Sequence, residues 1–169
     1  MVSPLASLSI TEKASVLVQL RCPACELVVR PDGSFPLHLV TPINVDPWSS
    51  QSAKAKTAIR DKVTDEMRRR GLYTPYGGGP ICLTVISVLS NGRRRMDVDN
   101  LVKGLLDSLQ DVLYVNDSQV QCLATRRLEY AGNAGYYLVA ARAVHPYDAD
   151  VVFDDGTAPN ILIGSRIPR

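Results

Sequence analysis

The chain has 169 residues, of which 46% are hydrophobic and 21% charged, a composition typical of one soluble globular domain rather than of a disordered or fibrous protein. Its net charge of +2 is too small to identify a nucleic-acid partner from the total alone. The basic excess is central, because residues 36–145 hold fourteen basic and ten acidic side chains, whereas residues 146–169 hold two and four.

The sequence favours a cytoplasmic protein without a membrane partner. Its longest uncharged stretch, Gly71–Gly92, contains five glycines and two prolines and therefore does not predict a membrane-spanning helix. No basic segment precedes an apolar run at the N-terminus, as it would in a signal peptide. Four cysteines are too few for the dense disulfide framework of a small secreted domain, so we expect reduced thiols.

The pattern divides the chain into an N-terminal extension (1–35), one central domain (36–145) and an acidic tail (146–169) that we expect to be irregular. In the extension, an alternating segment (16–20), a Cys22-Pro-Ala-Cys25 knuckle and a Pro-Asp-Gly turn at residues 31–33 predict a small hairpin.

The first half of the central domain predicts a strand, a helix, a loop and a second strand. The strand covers 36–45, and Ser49 or Ser50 then caps a helix that runs to about Arg70. The inward stripe of that helix is expected to be Ala55, Ile59, Val63 and Met67. A loop with three consecutive glycines covers 72–80. Residues 81–89 are apolar at both odd and even positions, which predicts a central strand.

The second half predicts a helix from about Asn100 to Val112, followed by two strands. The strands cover 120–130 and 136–145, and the Gly-Asn-Ala-Gly segment at 132–135 predicts that they form a hairpin. The helix would bury one apolar face, formed by Leu101, Val102, Leu105, Leu106, Leu109, Val112 and Leu113.

The stretch between the second strand and the hairpin, NGRRRMDVDNLVKGLLDSLQDVLYVND (91–117), carries the functional signal. If residues 96–99 are extended, Asp97 and Asp99 point to the same face and need a divalent cation, a basic partner or a shared proton. Hard oxygen ligands without nearby His or Cys favour Mg²⁺ or Mn²⁺. A short reversal could return Asp117 to these two carboxylates. Such a set suits a metal-dependent phosphodiesterase.

Lys103 has two possible partners. It lies one turn after Asp99, from which it could point toward the metal site, and one turn before Asp107, with which it could form an ion pair. We therefore leave Asp107 out of the catalytic set.

The segment RRRMDVDNLVKGLLDSLQDVLYVNDSQV resembles the signature of the RusA-like Holliday-junction resolvases: basic residues, D-x-D-N-L-x-K, an apolar helix with an internal Asp, and D-D-x-Q-[VI]. The order of elements over 36–145 is also similar to that family's compact α/β (α+β) core, a mixed sheet packed with two helices. The resemblance implies that Asp97, Asp99 and Asp117 are catalytic metal-binding carboxylates and that Lys103 is a catalytic lysine. Asn116 departs from the pattern, because it replaces the first residue of the family's Asp pair.

The resemblance further implies a homodimer that resolves four-way DNA junctions by paired nicks, with Mg²⁺ or Mn²⁺ as cofactor, in DNA recombination or repair. Two identical sites match the approximate two-fold symmetry of a junction. We expect backbone contacts from Arg93, Arg94 and Arg95 and from Lys54, Lys56 and Arg60. The alternatives are a nuclease selective for flaps or forks and an inactive protein that binds branched DNA.

The cysteines do not predict a complete zinc site. Cys22 and Cys25 resemble half of a zinc knuckle, but no second pair follows at finger spacing. Cys82 and Cys122 fall in predicted strands, where we expect buried apolar residues. A second subunit could still complete the site.

Overall fold

The structure is a computed structural model, and it describes residue 22 and residues 25–48, 51–90, 96–129, 133–146, 152–154 and 159–161. A four-stranded mixed sheet lies at its centre in the order β1-β4-β2-β3. The strands are β1 (His38–Ile43), β2 (Ile81–Leu89), β3 (Val120–Glu129) and β4 (Tyr136–Ala143). With two long helices against this sheet, the expected α+β fold is confirmed.

The central position of β2 follows from its composition. All nine of its residues are buried, because apolar side chains at both odd and even positions need cover on both faces of the sheet. It pairs in parallel with β3 and antiparallel with β4. The prediction of a central strand over 81–89 is therefore confirmed.

The predicted hairpin of the third and fourth strands is wrong. β2 lies between β3 and β4, so these two strands share a neighbour and do not pair with each other. The Gly-Asn-Ala-Gly segment is a local turn signal, whereas strand order depends on which strand must be covered on both sides. Tyr130, the last residue of the predicted third strand, and residues 131–132 lie outside the described residues.

Helix α1 (Ala53–Arg69) begins at Ser52, whose side chain accepts a hydrogen bond from the Ala55 N–H at 3.2 Å. The predicted caps, Ser49 and Ser50, lie outside the described residues, and the observed N-cap makes that prediction wrong. The inward stripe is confirmed for Ile59, Val63 and Met67, all buried, whereas Ala55 is half-buried.

Helix α2 (Val98–Leu109) starts two residues before the predicted position and ends three before its predicted end. Asp97 is its N-cap, and Asp99 already lies in the first turn. The condition under which Asp97 and Asp99 would share a face, an extended segment over residues 96–99, is therefore not met beyond Asp97. The reason is local, because acidic side chains favour the N-cap and the positive end of the helix dipole.

The two helices cover one face of the sheet. Their buried side chains join Leu83 and Val85 of β2 and Val139 of β4 in the main apolar cluster. The opposite face holds a second cluster built from the alternate residues, including Ile86, Val88 and Leu138. Among the described helices, none is long and apolar enough to cross a membrane.

Segments outside the central domain also contact it or form strands. Leu27 bridges to Val144, and the Val28 N–H donates to the Ala143 carbonyl at 3.0 Å. Residues 16–20 of the predicted N-terminal hairpin lie outside the described residues. The tail is not wholly irregular, since β5 (Val152–Asp154) pairs antiparallel with β6 (Pro159–Ile161).

Tyr137 joins α2 to the sheet and to the segment before α1. Its hydroxyl donates to the Leu101 carbonyl at 2.8 Å and accepts from the Gln51 side chain at 3.0 Å and the Trp48 N–H at 3.2 Å. Burial raises the pKa of Tyr137. Gly104 permits the same close approach, because a Cβ there would lie 3.2 Å from the Trp48 carbonyl oxygen.

We expect Tyr137→Phe to lower the free energy of unfolding by about 1–3 kcal/mol, since the buried Leu101 carbonyl and Gln51 amide and the Trp48 N–H lose their shared partner. Tyr73→Phe is the matched control, because Tyr73 is 80% exposed. Urea unfolding followed by circular dichroism measures both variants. Equal stability of the two variants would contradict the role assigned to this hydroxyl.

Candidate active site

A cleft of 680 Å³ lies between α2, β3 and the Asp117 end of the segment that joins them. It brings together predicted site residues from two separate segments: Asp99 and Lys103 on α2, and Asp117 from the reversal. Asp107 also lines it. The remaining lining residues are Val98, Val102, Leu106, Gln110, Leu123 and Thr125.

Asp97 and Asp99, at the start of α2, differ in their position relative to the cleft. Asp99 and Asp97 are both exposed, but Asp97 is not among the residues that line the cleft. An N-cap Asp usually accepts a hydrogen bond from the helix backbone. The side chain of Asp97 makes no such bond, so its carboxylate is not used by α2 for capping.

Lys103 and Asp107 lie one helical turn apart, but no salt bridge joins them within the described residues. Both side chains are exposed and line the cleft. The cleft contains both partners that the sequence left open for Lys103, because Asp99 and Asp107 line it together with Asp117.

Asp117 begins a 3₁₀ turn (Asp117–Gln119) that is held by the residues on either side of it. Asn116 accepts a hydrogen bond from the Ser118 N–H at 2.8 Å, and Gln119 accepts from the Asn116 N–H at 3.0 Å. This reciprocal capping leaves Asp117 exposed beside the cleft. Asn116, the departure from the family pattern, therefore has a structural role.

Gln119 also anchors this turn to the glycine-rich loop. Its amide nitrogen donates to the carbonyls of Tyr76 and Gly79, both at 3.0 Å. The sequence analysis missed this residue, although Asn-x-x-Gln is a capping-box spacing that could have identified it.

Tyr114 links the segment before the Asp117 turn to α2 by a hydrogen bond. Its hydroxyl donates to the Leu106 carbonyl at 2.9 Å, and the ring is fully buried. Burial raises the pKa of Tyr114, and the nearby carboxylates of Asp117 and Asp107 raise it further. The phenol thus stays protonated and holds the helix and the Asp117 turn together.

A second residue missed by the sequence analysis is Arg127 on β3. Its guanidinium donates to the Met96 carbonyl at 2.8 Å, directly before Asp97. Nothing in the linear sequence relates these positions, because 31 residues separate them. Arg127 therefore fixes the chain where it enters α2.

The predicted DNA-binding residues of α1 do not form one surface. Lys56 and Arg60 are four residues apart and share a side of the helix, whereas Lys54 lies about 200° from Lys56. The Arg60 guanidinium donates to the carbonyls of Gln110 at 3.0 Å and Ser108 at 3.5 Å. Arg60 thus binds the C-terminal end of α2. Arg93, Arg94 and Arg95 lie outside the described residues.

The donor set of the cleft fits a hard divalent cation. Its ligand-type side chains are carboxylates, with no His or Cys in the lining, and Mg²⁺ prefers oxygen. The three predicted carboxylates do not form a tight ligand group in the described residues. Mg²⁺ usually keeps several waters and binds one or two carboxylates directly, so it does not require a tight group of three.

The cysteine prediction is partly wrong. Cys82 is buried as expected, but Cys22, Cys25, Cys82 and Cys122 form one group whose sulfur atoms lie within 4.8 Å of one another. A second pair of cysteines does exist, although the two residues are far apart in the sequence: Cys82 lies on β2 and Cys122 on β3 of the same chain.

The fold and cleft define an α+β protein with an acidic cleft beside an edge strand. The family model "Endodeoxyribonuclease RusA" matches residues 43–137. The chain therefore belongs to the RusA endodeoxyribonuclease family, whose members are hydrolases that act on branched DNA. The resemblance of residues 93–120 to this family is thereby confirmed.

No curated protein matches the chain significantly. Six chains of solved structures match. Among them is the crystal structure of hydrogenase maturation protein HypE, at 14% identity and a TM-score of 0.34, with 78% of this chain covered. This chain spans 40% of that chain's length.

We expect Arg60→Met to lower the free energy of unfolding by about 1–2 kcal/mol, because the carbonyls at the end of α2 lose a charged donor. Lys56→Met is the matched control on the same side of α1, since Lys56 is exposed. Chemical denaturation measures both. If the Arg60 variant is as stable as the control, the bonds to α2 contribute nothing to stability.

Proposed function

We propose that this protein resolves Holliday junctions by paired nicks, with Mg²⁺ or Mn²⁺ held by Asp97, Asp99 and Asp117. Membership of the RusA family supports an endodeoxyribonuclease. The observation that carries the proposal is the shared cleft of Asp99, Lys103 and Asp117. These residues come from two segments. Gln119, in the Asp117 turn, donates to the Tyr76 carbonyl, and Tyr114, just before the turn, donates to the Leu106 carbonyl of α2.

The chain's own groups have distinct tasks in phosphodiester hydrolysis. A bound divalent cation supplies a Lewis acid that neutralises the scissile phosphate and acidifies an attacking water. Asp99 and Asp117, which line the cleft, would hold such a cation, and Asp97 at the helix start would add a third carboxylate. The Lys103 ammonium can donate hydrogen bonds to the charge that develops on the phosphate, or orient the water.

Lys103 is well placed for this task. It is exposed in the cleft, and no described carboxylate holds it in a salt bridge. Its ammonium is therefore available to a phosphate. Thr125 adds a hydroxyl to the same lining, and its oxygen has no hydrogen-bond partner among the described residues.

DNA is expected to enter along basic residues around the cleft. Lys56 lies on the same side of α1 as Arg60, whose guanidinium reaches the cleft residue Gln110. Arg93–Arg95 directly precede the segment that enters α2. Such contacts are independent of base sequence and weaken with salt. A homodimer would place two clefts on the two opposing strands of a junction.

Asp99→Asn and Asp117→Asn are each expected to lower junction cleavage at least about 100-fold, because each removes a charged ligand from the cleft. Junction binding should persist, since phosphate contacts come from other residues. The assay uses a synthetic mobile four-way junction, a flap and linear duplex, each with Mg²⁺, Mn²⁺ or EDTA.

Asp65→Asn is the matched control for these variants, because Asp65 is an exposed carboxylate of α1 that does not line the cleft. It should cleave like the unmodified protein. Preferential cleavage of flaps would contradict junction resolution, and tight junction binding without cleavage in any metal would show a binding protein instead.

Arg127→Gln should raise the Mg²⁺ concentration needed for half-maximal cleavage by about 10–100-fold, as expected when a residue that orients a ligand is lost. Arg127→Lys should restore part of this affinity. Arg126→Gln is the control, because the neighbouring side chain points to the opposite face of β3. An unchanged Mg²⁺ dependence in Arg127→Gln would exclude a positioning role toward Asp97.

A further inference from the structure

The four cysteines form a compact cluster away from the acidic cleft. The Sγ atoms of Cys22 and Cys25 are 3.4 Å apart, and those of Cys22 and Cys122 are 3.7 Å apart. All four sulfur atoms lie within 4.8 Å of one another. A tetrahedral ion with metal–sulfur distances of about 2.3 Å requires sulfur–sulfur spacings of about 3.8 Å. The observed spacings therefore lie around the value for one ion.

The sheet brings two of these cysteines together through an irregularity. β2 and β3 shift register between Ile81 and Cys82, so that Ile81 is paired with Val120 but Cys82 with Cys122. Without this bulge, Gln121 would be opposite Cys82. Bulges commonly redirect a side chain near a functional site, and this one places two thiols on the same face of adjacent strands.

The other two cysteines come from the N-terminal extension. Cys22 and Cys25 have the C-x-x-C spacing that zinc sites use. The next residues are fixed to the sheet, because the His145 N–H donates to the Glu26 carbonyl and the Val28 N–H to the Ala143 carbonyl, both at 3.0 Å. These hydrogen bonds hold the extension on the sheet, where Cys22 and Cys25 lie next to Cys82 and Cys122.

The cluster lies on the sheet face opposite α2. Successive side chains of a strand point to opposite faces of the sheet. Leu83 belongs to the apolar cluster on the helix side, so its neighbour Cys82 points to the other face, as does Ile86 of the second apolar cluster. Cys122 likewise has the opposite parity to Leu123, which lines the acidic cleft. The sheet therefore separates the cysteine group from the acidic residues.

One buried polar side chain on the cysteine face of the sheet has an atom without a partner among the described residues. Arg142 of β4 is directly opposite Cys82 in the antiparallel pair and is only 9% exposed. One of its terminal nitrogens, Nη1, has no hydrogen-bond partner among the described residues. A buried guanidinium nitrogen without a partner is costly. Four thiolates around a divalent ion would carry a net charge of −2, opposite in sign to this guanidinium.

We propose that Cys22, Cys25, Cys82 and Cys122 bind one Zn²⁺ as thiolates and thereby fasten the N-terminal extension to the sheet. Each thiol releases its proton to solvent, and four sulfur–metal bonds form without a change in oxidation state. Four soft thiolates in a tetrahedron favour zinc, which also ranks above Fe²⁺ in affinity for such ligands. The closed ligand set indicates a structural site, since catalytic zinc sites keep an open position.

The site does not depend on the proposed nuclease function, so the test measures metal content. Full-length protein purified without chelator should contain about one zinc per chain by mass spectrometry of its metals. Cys25→Ser and Cys122→Ser, both at half-buried positions, should lose most of this zinc. Asp99→Asn is the matched control, because it alters the acidic cleft and leaves all four cysteines in place, and it should retain full zinc.

Two further measurements keep the proposal falsifiable if a cysteine variant misfolds. Co²⁺ added to chelator-treated protein should give the strong visible absorption of a tetrahedral thiolate complex. Removal of zinc should lower the Tm by on the order of 10 °C, since binding free energy contributes to folding. A protein without zinc, with a Cys22–Cys25 disulfide, or with iron in place of zinc would overturn the proposal.

Discussion

The requirement that β2 be buried on both faces determines the arrangement of the molecule. A strand of nine buried residues must have neighbours on both edges and cover above and below. β3 pairs with it in parallel, and a parallel neighbour requires a crossover. The crossover contains α2 and ends in the Asp117 turn, so the helix and the turn both border the cleft beside β3. The acidic cleft is a consequence of this connection.

The same pairing builds the second site on the other face. Because parallel strands in register direct matching residues to one side, the bulge that places Cys82 beside Cys122 also decides which residues face the helices. Carboxylates and a lysine lie on the helix side, and thiols lie on the opposite side. Hard and soft ligands are thereby kept apart, which favours different metals at the two places.

Hydrogen bonds between distant segments hold the acidic cleft in shape. Tyr137 binds the first turn of α2, Gln119 binds the glycine-rich loop, and Arg127 binds the residue before Asp97. Their partners are mostly backbone carbonyls. Carbonyls are present at every position of a chain, so the sequence gives no sign of which one a side chain will reach.

Local patterns were sufficient for much of the fold and for the motif of the site. The apolar periodicity indicated α1, α2 and β2, and the acidic motif with Lys103 indicated a family that the comparison confirms. The errors concern features that depend on position in space. A glycine-rich turn predicted a hairpin where β2 intervenes, and the extended segment at Asp97 became a helix start.

The sequence by itself determined which residues are apolar, which segments form helices and strands, and which family the acidic motif represents, because these depend on side-chain chemistry and short-range spacing. Only the tertiary structure decided strand order, the lining of one cleft by both Asp99 and Asp117, and the meeting of Cys22 and Cys25 with Cys82 and Cys122. Those contacts join segments from 18 to 100 residues apart, and burial of the whole core, rather than any local preference, selects among the possible pairings.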